Sequence, residues 1–223
     1  MVQERDHLKS AYPKYSPSER VADGILHIVG LIAALIGAVV LVVLSFGAIA
    51  GVFTLGLITY GITLVGTFAA SGLYHFTPWE RWRPTLRRID HAAIYLIIAG
   101  TYTPFVILIG TPLAIGVLAL IWVLAGFGAI HKLFFWRNPK RCGVTLYLIM
   151  GWLSVVLLWS FVTLLPPASL MLMTIGGLLY SGGVIFFNMD KMRFSLAIWH
   201  GFVLTASICF YAAIAVGVYQ SLP

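Results

Sequence analysis

Five ionisable side chains stand within or at the edges of long apolar runs: His27, His75, Asp90, His91 and His200. A charge in hydrocarbon is costly unless it faces a protein interior or a wet cavity, so each is a functional candidate from the outset. Imidazoles gathered with a carboxylate at one depth are a donor set for zinc, whose catalytic sites use three protein ligands and keep a place for water. Zinc lowers the pKa of that water to about 7, and a carboxylate such as Asp90 is suited to accept its proton. Ser71 and His75 are spaced i, i+4 and share a helix face, which puts a hydroxyl one turn from an imidazole. The chemistry implied is hydrolysis at a membrane-embedded centre. The plainer reading is that helix-end histidines cap carbonyls and that Asp90 answers the positive end of a helix dipole, since no HExxH or paired-cysteine motif is present. His27 and His131 read as structural, and Glu19, Asp23 and His27, at i, i+4 and i+8, as a solvated stripe.

The elements that must position these groups are set by composition. Of 223 residues, 61% are hydrophobic and 9% charged, and the mean hydropathy is +0.98. No soluble core can hide that much apolar surface, so lipid is the solvent. A crossing needs about 20 apolar residues, and seven runs qualify, near 25–46, 51–75, 91–109, 113–134, 143–165, 168–187 and 196–219. A transmembrane barrel requires short alternating segments instead, so the expected fold is an all-α, seven-helix transmembrane bundle.

Charge orients the bundle. The 14 basic residues fall before the first span (Arg5, Lys9, Lys14, Arg20), after the second (Arg81, Arg83, Arg87, Arg88), after the fourth (Lys132, Arg137, Lys140, Arg141) and after the sixth (Lys191, Arg193). Seven spans put all four segments on one side, which the positive-inside rule makes cytoplasmic. The expected topology has the N-terminus in the cytoplasm, with residues 1–24 as a cytoplasmic segment, and the C-terminus outside. The chain reads as one domain in the inner (plasma) membrane with membrane lipids as partners. Its net charge of +7 reflects topology, not nucleic-acid binding. Residues 1–24 carry no removable signal peptide by pattern, and Cys142 and Cys209 suggest ordinary thiols. Gly100-Thr-Tyr-Thr-Pro104, inside the third run, implies a bend, with a lipid-lined cavity at the kink as the bolder alternative.

Ser71-Gly-Leu-Tyr-His75, Asp90-His-Ala-Ala-Ile-Tyr95 running into Ala99-Gly-Thr-Tyr-Thr-Pro104, Tyr147-Leu-Ile-Met-Gly-Trp152 and Ala197-Ile-Trp-His-Gly-Phe-Val203 occur in order along the chain. In these stretches, and in Glu19 to Gly30, it resembles the hemolysin III branch of the progestin and adipoQ receptor family, relatives of the adiponectin receptors. The resemblance implies zinc near the cytoplasmic leaflet, held by histidines matching His75 and His200, with Asp90 beside the metal's water; in the expected site Ser71 supports the centre and Asp90 is a candidate direct ligand. It also implies a link to hydrolysis of lipid amides, as in the alkaline ceramidases, and to membrane fluidity. The family pattern His-Ala-Ile-Trp-His reads Leu196-Ala-Ile-Trp-His200 here, so one paired ligand is missing. A further histidine of bacterial relatives corresponds to Phe210. With Leu196 in place, zinc binding is weak or absent unless Asp90, His91 or His27 supplies the third donor. The expected function is a zinc-dependent hydrolase acting on a lipid amide or ester. The alternatives are a non-catalytic membrane sensor, which Leu196 favours, and a haemolytic pore, which the apolar outer halves of the spans disfavour.

Overall fold

In the computed structural model, residues 15–46, 51–135, 143–189 and 191–220 are described. They form seven helical spans: Pro17–Ser45, Gly51–Phe76, Arg83–Ile109, Pro112–Phe134, Val144–Leu164, Pro167–Phe187 and Ser195–Tyr219. No strand occurs among them. The chain is therefore a multi-pass, all-helical membrane protein. The basic segments at 1–14 and 136–142 lie outside the described residues, as does Cys142.

Two spans begin earlier than hydropathy alone predicts, and both shifts matter to the site. Ser16 caps the first span, accepting from Glu19 N while its own backbone N–H donates to Glu19 Oε2 at 2.9 Å, and Pro17 pre-sets the first turn. Polar residues 17–24 are thus helical, and His27 lies well inside the helix. The third span starts at Arg83, with Pro84 in its first turn, so Asp90 and His91 sit two turns in. A helix dipole acts only within the first turn, so it does not account for Asp90.

The third span is the axis of the bundle: 61% of its central window is buried, against 11% for the sixth. The second and fourth spans pack along it, the sixth packs along the seventh, and the first and seventh close the ring. Close approach of the second and third spans depends on Gly100, where a Cβ would lie 2.0 Å from Thr63 Oγ1. The helix continues through Pro104, with Thr101 and Thr103 hydroxyls donating to the carbonyls of Ile97 and Ala99.

The fifth span is not a continuous α-helix. Residues Gly143–Trp152 are α-helical, Leu153–Leu157 tighten to a 3-10 turn, and Leu158–Leu164 resume the α-helix. Tyr102 explains the break: its hydroxyl donates to Met150 O at 2.9 Å and Gly151 O at 2.8 Å, and Ser154 Oγ also donates to Gly151 O. These are carbonyls that regular α-helical bonding to Ser154 and Val155 would use. This span meets the third, fourth and sixth only sparsely. Beside it lies a cavity of about 1270 Å³, walled mainly by the third, fifth, sixth and seventh spans and reached by the second span from Thr67 to His75 and by His27 of the first.

Candidate metal centre

Three imidazoles from three helices meet where the cavity approaches the basic end of the bundle. His27, His75 and His200 each offer a ring nitrogen, and these atoms all lie within 4.8 Å of one another. The ring centroids are 4.4 Å apart for His27 and His200, 4.8 Å for His75 and His200, and 5.2 Å for His27 and His75. His27 and His75 are buried, and the His200 side chain is 12% exposed.

Two of the rings are oriented by Asp23. His27 Nδ1 lies 2.8 Å from the Asp23 carbonyl, and His200 Nδ1 lies 2.5 Å from Asp23 Oδ1. Both Nδ1 atoms act as donors to these oxygens, which leaves each Nε2 with its lone pair. That is the tautomer a metal requires, and a carboxylate or carbonyl on the far nitrogen is the usual support for a ligating histidine. The stripe Glu19, Asp23 and His27 is therefore not a solvated face. Asp23 is 4% exposed, and Glu19 Oε1 accepts the Phe194 backbone N–H at 2.9 Å, bracing the first span against the start of the seventh. Phe194 itself takes a left-handed φ of 60°, which this bond helps to hold.

Asp90 stands beside the trio. Its carboxylate is buried next to the Ser71 hydroxyl and within electrostatic reach of His200, and Ser71 Oγ lies 3.2 Å from His27 Nε2. Ser71 donates its one proton to the Asp90 carboxylate, and its oxygen stands beside the His27 ring. His91 turns elsewhere: its Nδ1 bonds the Arg87 carbonyl at 2.8 Å and lies 3.4 Å from Asp90. His131, on the fourth span, packs against Phe127. Of the residues singled out from sequence, His75, His200, Asp90 and Ser71 share one neighbourhood, and His27 joins them as the third imidazole. His27 is brought to the other two because the first span packs against the second and the seventh. Asp23 was missed as a positioning group, although its spacing of four from His27 was visible.

The donor set suits zinc. Three imidazoles from separate helices, two of them with Nδ1 tied to Asp23, match the three-ligand arrangement that leaves a coordination position for water. Leu196 lies one turn before His200 and lines the cavity, as does Phe210, which stacks on Tyr180.

The family model described as Haemolysin-III related matches residues 16–211. The chain belongs to that family. Hemolysin-3 of Bacillus cereus is 36% identical over 190 residues, covering 85% of this chain and 87% of its own length. The Hemolysin-3 homolog of Bacillus subtilis is 33% identical over 199 residues, covering 88% and 93%. The monocyte to macrophage differentiation factor of Homo sapiens is 30% identical over 228 residues, covering 97% and 92%. Haemolysin-III-related membership thus extends over every member of the candidate centre, from Asp23 to His200.

Proposed function

We propose that this protein is a membrane-embedded zinc-dependent hydrolase of a lipid amide or ester, working at the cytoplasmic leaflet of the inner (plasma) membrane with its N-terminus in the cytoplasm. One observation carries the reading: three imidazole nitrogens within 4.8 Å of one another open onto an apolar cavity of about 1270 Å³, with Asp90 alongside. His27, His75 and His200 would hold the ion. When bound, zinc supplies Lewis acidity and brings the pKa of its water to about 7.

The chain's own groups supply the rest. Asp90 is placed to accept a proton from an attacking water and return it to the leaving group. Ser71 holds the carboxylate by donating to it, beside the His27 ring. The cavity runs along the third span from Asp90 to Phe105, roughly 22 Å at 1.5 Å per residue, which suits a long acyl chain. Its apolar walls exclude bulk water from the reacting bond.

The test is zinc content of the purified protein together with release of fatty acid from N-acyl and O-acyl lipids. One zinc per chain and hydrolysis lost in both His75→Ala and Asp90→Asn support the reading. A parent protein without zinc, or turnover that survives in His75→Ala, overturns it.

A further inference from the structure

The cavity begins near the basic end of the bundle, where Asn188 lines it, and stops short of the opposite end. Among the described residues its lining reaches no further than Phe105 on the third span, Phe161 on the fifth, Leu170 on the sixth and Phe210 on the seventh. Beyond that level the bundle is packed. Ile109, Leu165 and Ile214, one turn on along their helices, belong to the buried core, and Ser169 Oγ donates to Ala213 O at 2.8 Å, tying the sixth span to the seventh. Four helices therefore close the cavity at one depth.

Two rings form the end wall. Phe105 and Phe161 are each 3% exposed and meet edge to face, with centroids 6.2 Å apart. Such a pair is a firm stop, because each ring has few rotamers and the other holds it in place. The lumen before them is wider: Gly177 lines it about two turns nearer the basic end on the sixth span, and a Cβ there would meet nothing within 4 Å.

Depth decides what fits. The rise from His200 to Phe210 is roughly 15 Å and that from Asp90 to Phe105 roughly 22 Å, at 1.5 Å per residue. One acyl chain of an ordinary membrane lipid covers half of the hydrocarbon core of about 30 Å. A chain of roughly 16 to 18 carbons thus reaches from the imidazoles to the two rings, and a longer one runs into them.

We propose that Phe105 and Phe161 are a chain-length stop, so that the cavity takes linear acyl chains of up to roughly 18 carbons and rejects longer ones. This rests on the hydrolase reading for the identity of the ligand as an acyl chain, but the stop acts on a bound chain whether or not a bond is cut.

The probe is palmitate carrying a diazirine at its last carbon, photo-crosslinked to the purified full chain in phosphatidylcholine vesicles. Unlabelled saturated fatty acids compete, each referred to its concentration in the bilayer so that its hydrophobicity cancels. The crosslink is expected at the end wall, on the segments holding Phe105 or Phe161, and a label found only on exposed faces overturns the proposal. In the parent, the 20-carbon acid is expected to compete at least about fivefold less well than palmitate, because its last carbons overpack the rings. In Phe105→Ala or Phe161→Ala it should come within about twofold of palmitate. Phe127→Ala, which removes an exposed ring outside the cavity, is expected to leave the ratio unchanged. Should both end-wall variants fail to fold, Gly177→Leu fills open lumen instead and is expected to weaken palmitate at least about fivefold relative to laurate. A parent that takes the 20-carbon acid as well as palmitate overturns the stop, since the chain then leaves sideways between helices. Unchanged ratios in folded Phe105→Ala and Phe161→Ala, or in Gly177→Leu where neither folds, overturn it as well. Repeating the competition in His75→Ala separates the two ideas. Chain-length selection that persists there leaves the stop standing if zinc and turnover prove absent, and zinc-dependent turnover without selection leaves the hydrolase reading standing if the stop falls.

Discussion

Asp23 and His200 join the first span to the seventh through a 2.5 Å contact between a carboxylate oxygen and Nδ1. The carboxylate is buried, and the backbone carbonyl of the same residue holds His27 Nδ1 at 2.8 Å, so one residue orients two of the three imidazoles, His200 through its side chain and His27 through its main chain. Accepting the Nδ1 proton holds His200 in the tautomer with a bare Nε2.

Replacing Asp23 by Asn keeps the size but removes the charge and lets the amide present a donor to Nδ1. Zinc affinity is expected to fall about 10- to 100-fold, read by competition with a calibrated chelator while the helical circular dichroism stays unchanged. An affinity within about twofold of the parent would show that Asp23 does not position His200.

Position 196 offers a reciprocal test of which imidazoles form the trio. His27→Ala leaves two histidines, too few to hold zinc firmly, and zinc per chain should drop to near background after dialysis. Leu196 lies one turn from His200 on the same helix, so Leu196→His in the His27→Ala background should recover binding. If His27→Ala alone retains stoichiometric zinc, His27 is not a ligand.

The spans were legible because lipid imposes one answer: long apolar runs, with basic residues segregated between them. The site was legible in part. His75, Asp90, His200 and Ser71 stood out as polar groups where hydrocarbon tolerates few. His27 stood among them but read as structural, and Asp23 as part of a solvated stripe, because their placement turns on which face of the first helix meets the seventh, a long-range packing fact that local spacing leaves open. The broken fifth span was hidden for a similar reason, since its cause is a tyrosine hydroxyl 48 residues upstream of Met150.

Gly100 permits the contact that seats the second span, and with it Ser71 and His75, against the third. Gly100→Ala would drive a methyl into Thr63 Oγ1, so a loss of about 1–3 kcal/mol is expected. Thr63→Ala should restore part of it in the double variant, because it removes Oγ1 and Cγ2 and leaves only Cβ, at 2.9 Å, close to the new methyl. Thermal melts in detergent give the comparison; additive losses would mean that the clash is not the cause.

Tyr102→Phe removes the shared donor from Met150 O and Gly151 O. Met150 O is freed and Gly151 O keeps the Ser154 hydroxyl, and both can return to regular helical bonding or take water, so the expected cost is only about 0.5–1.5 kcal/mol. The informative change is local: amide exchange across Leu153–Leu157 should slow if the turn rewinds to an α-helix. Unaltered exchange there would show that Tyr102 does not hold the 3-10 geometry.

A metal held by the trio would link binding to folding, because the three imidazoles come from the first, second and seventh spans, which are brought together only in the native state. An ion that binds the folded chain alone stabilises it by RT ln(1 + [L]/Kd), about 2.7 kcal/mol at one hundred times Kd. Adding zinc should therefore raise the melting temperature by several degrees, and a chelator should reverse the gain. His75→Ala abolishes the zinc-dependent shift without abolishing the transition, which separates a lost ligand from a lost fold. Magnesium, which prefers octahedral oxygen ligands, should produce no comparable shift. A zinc-induced rise that persists in His75→Ala would place the ion at some other group and detach it from the trio.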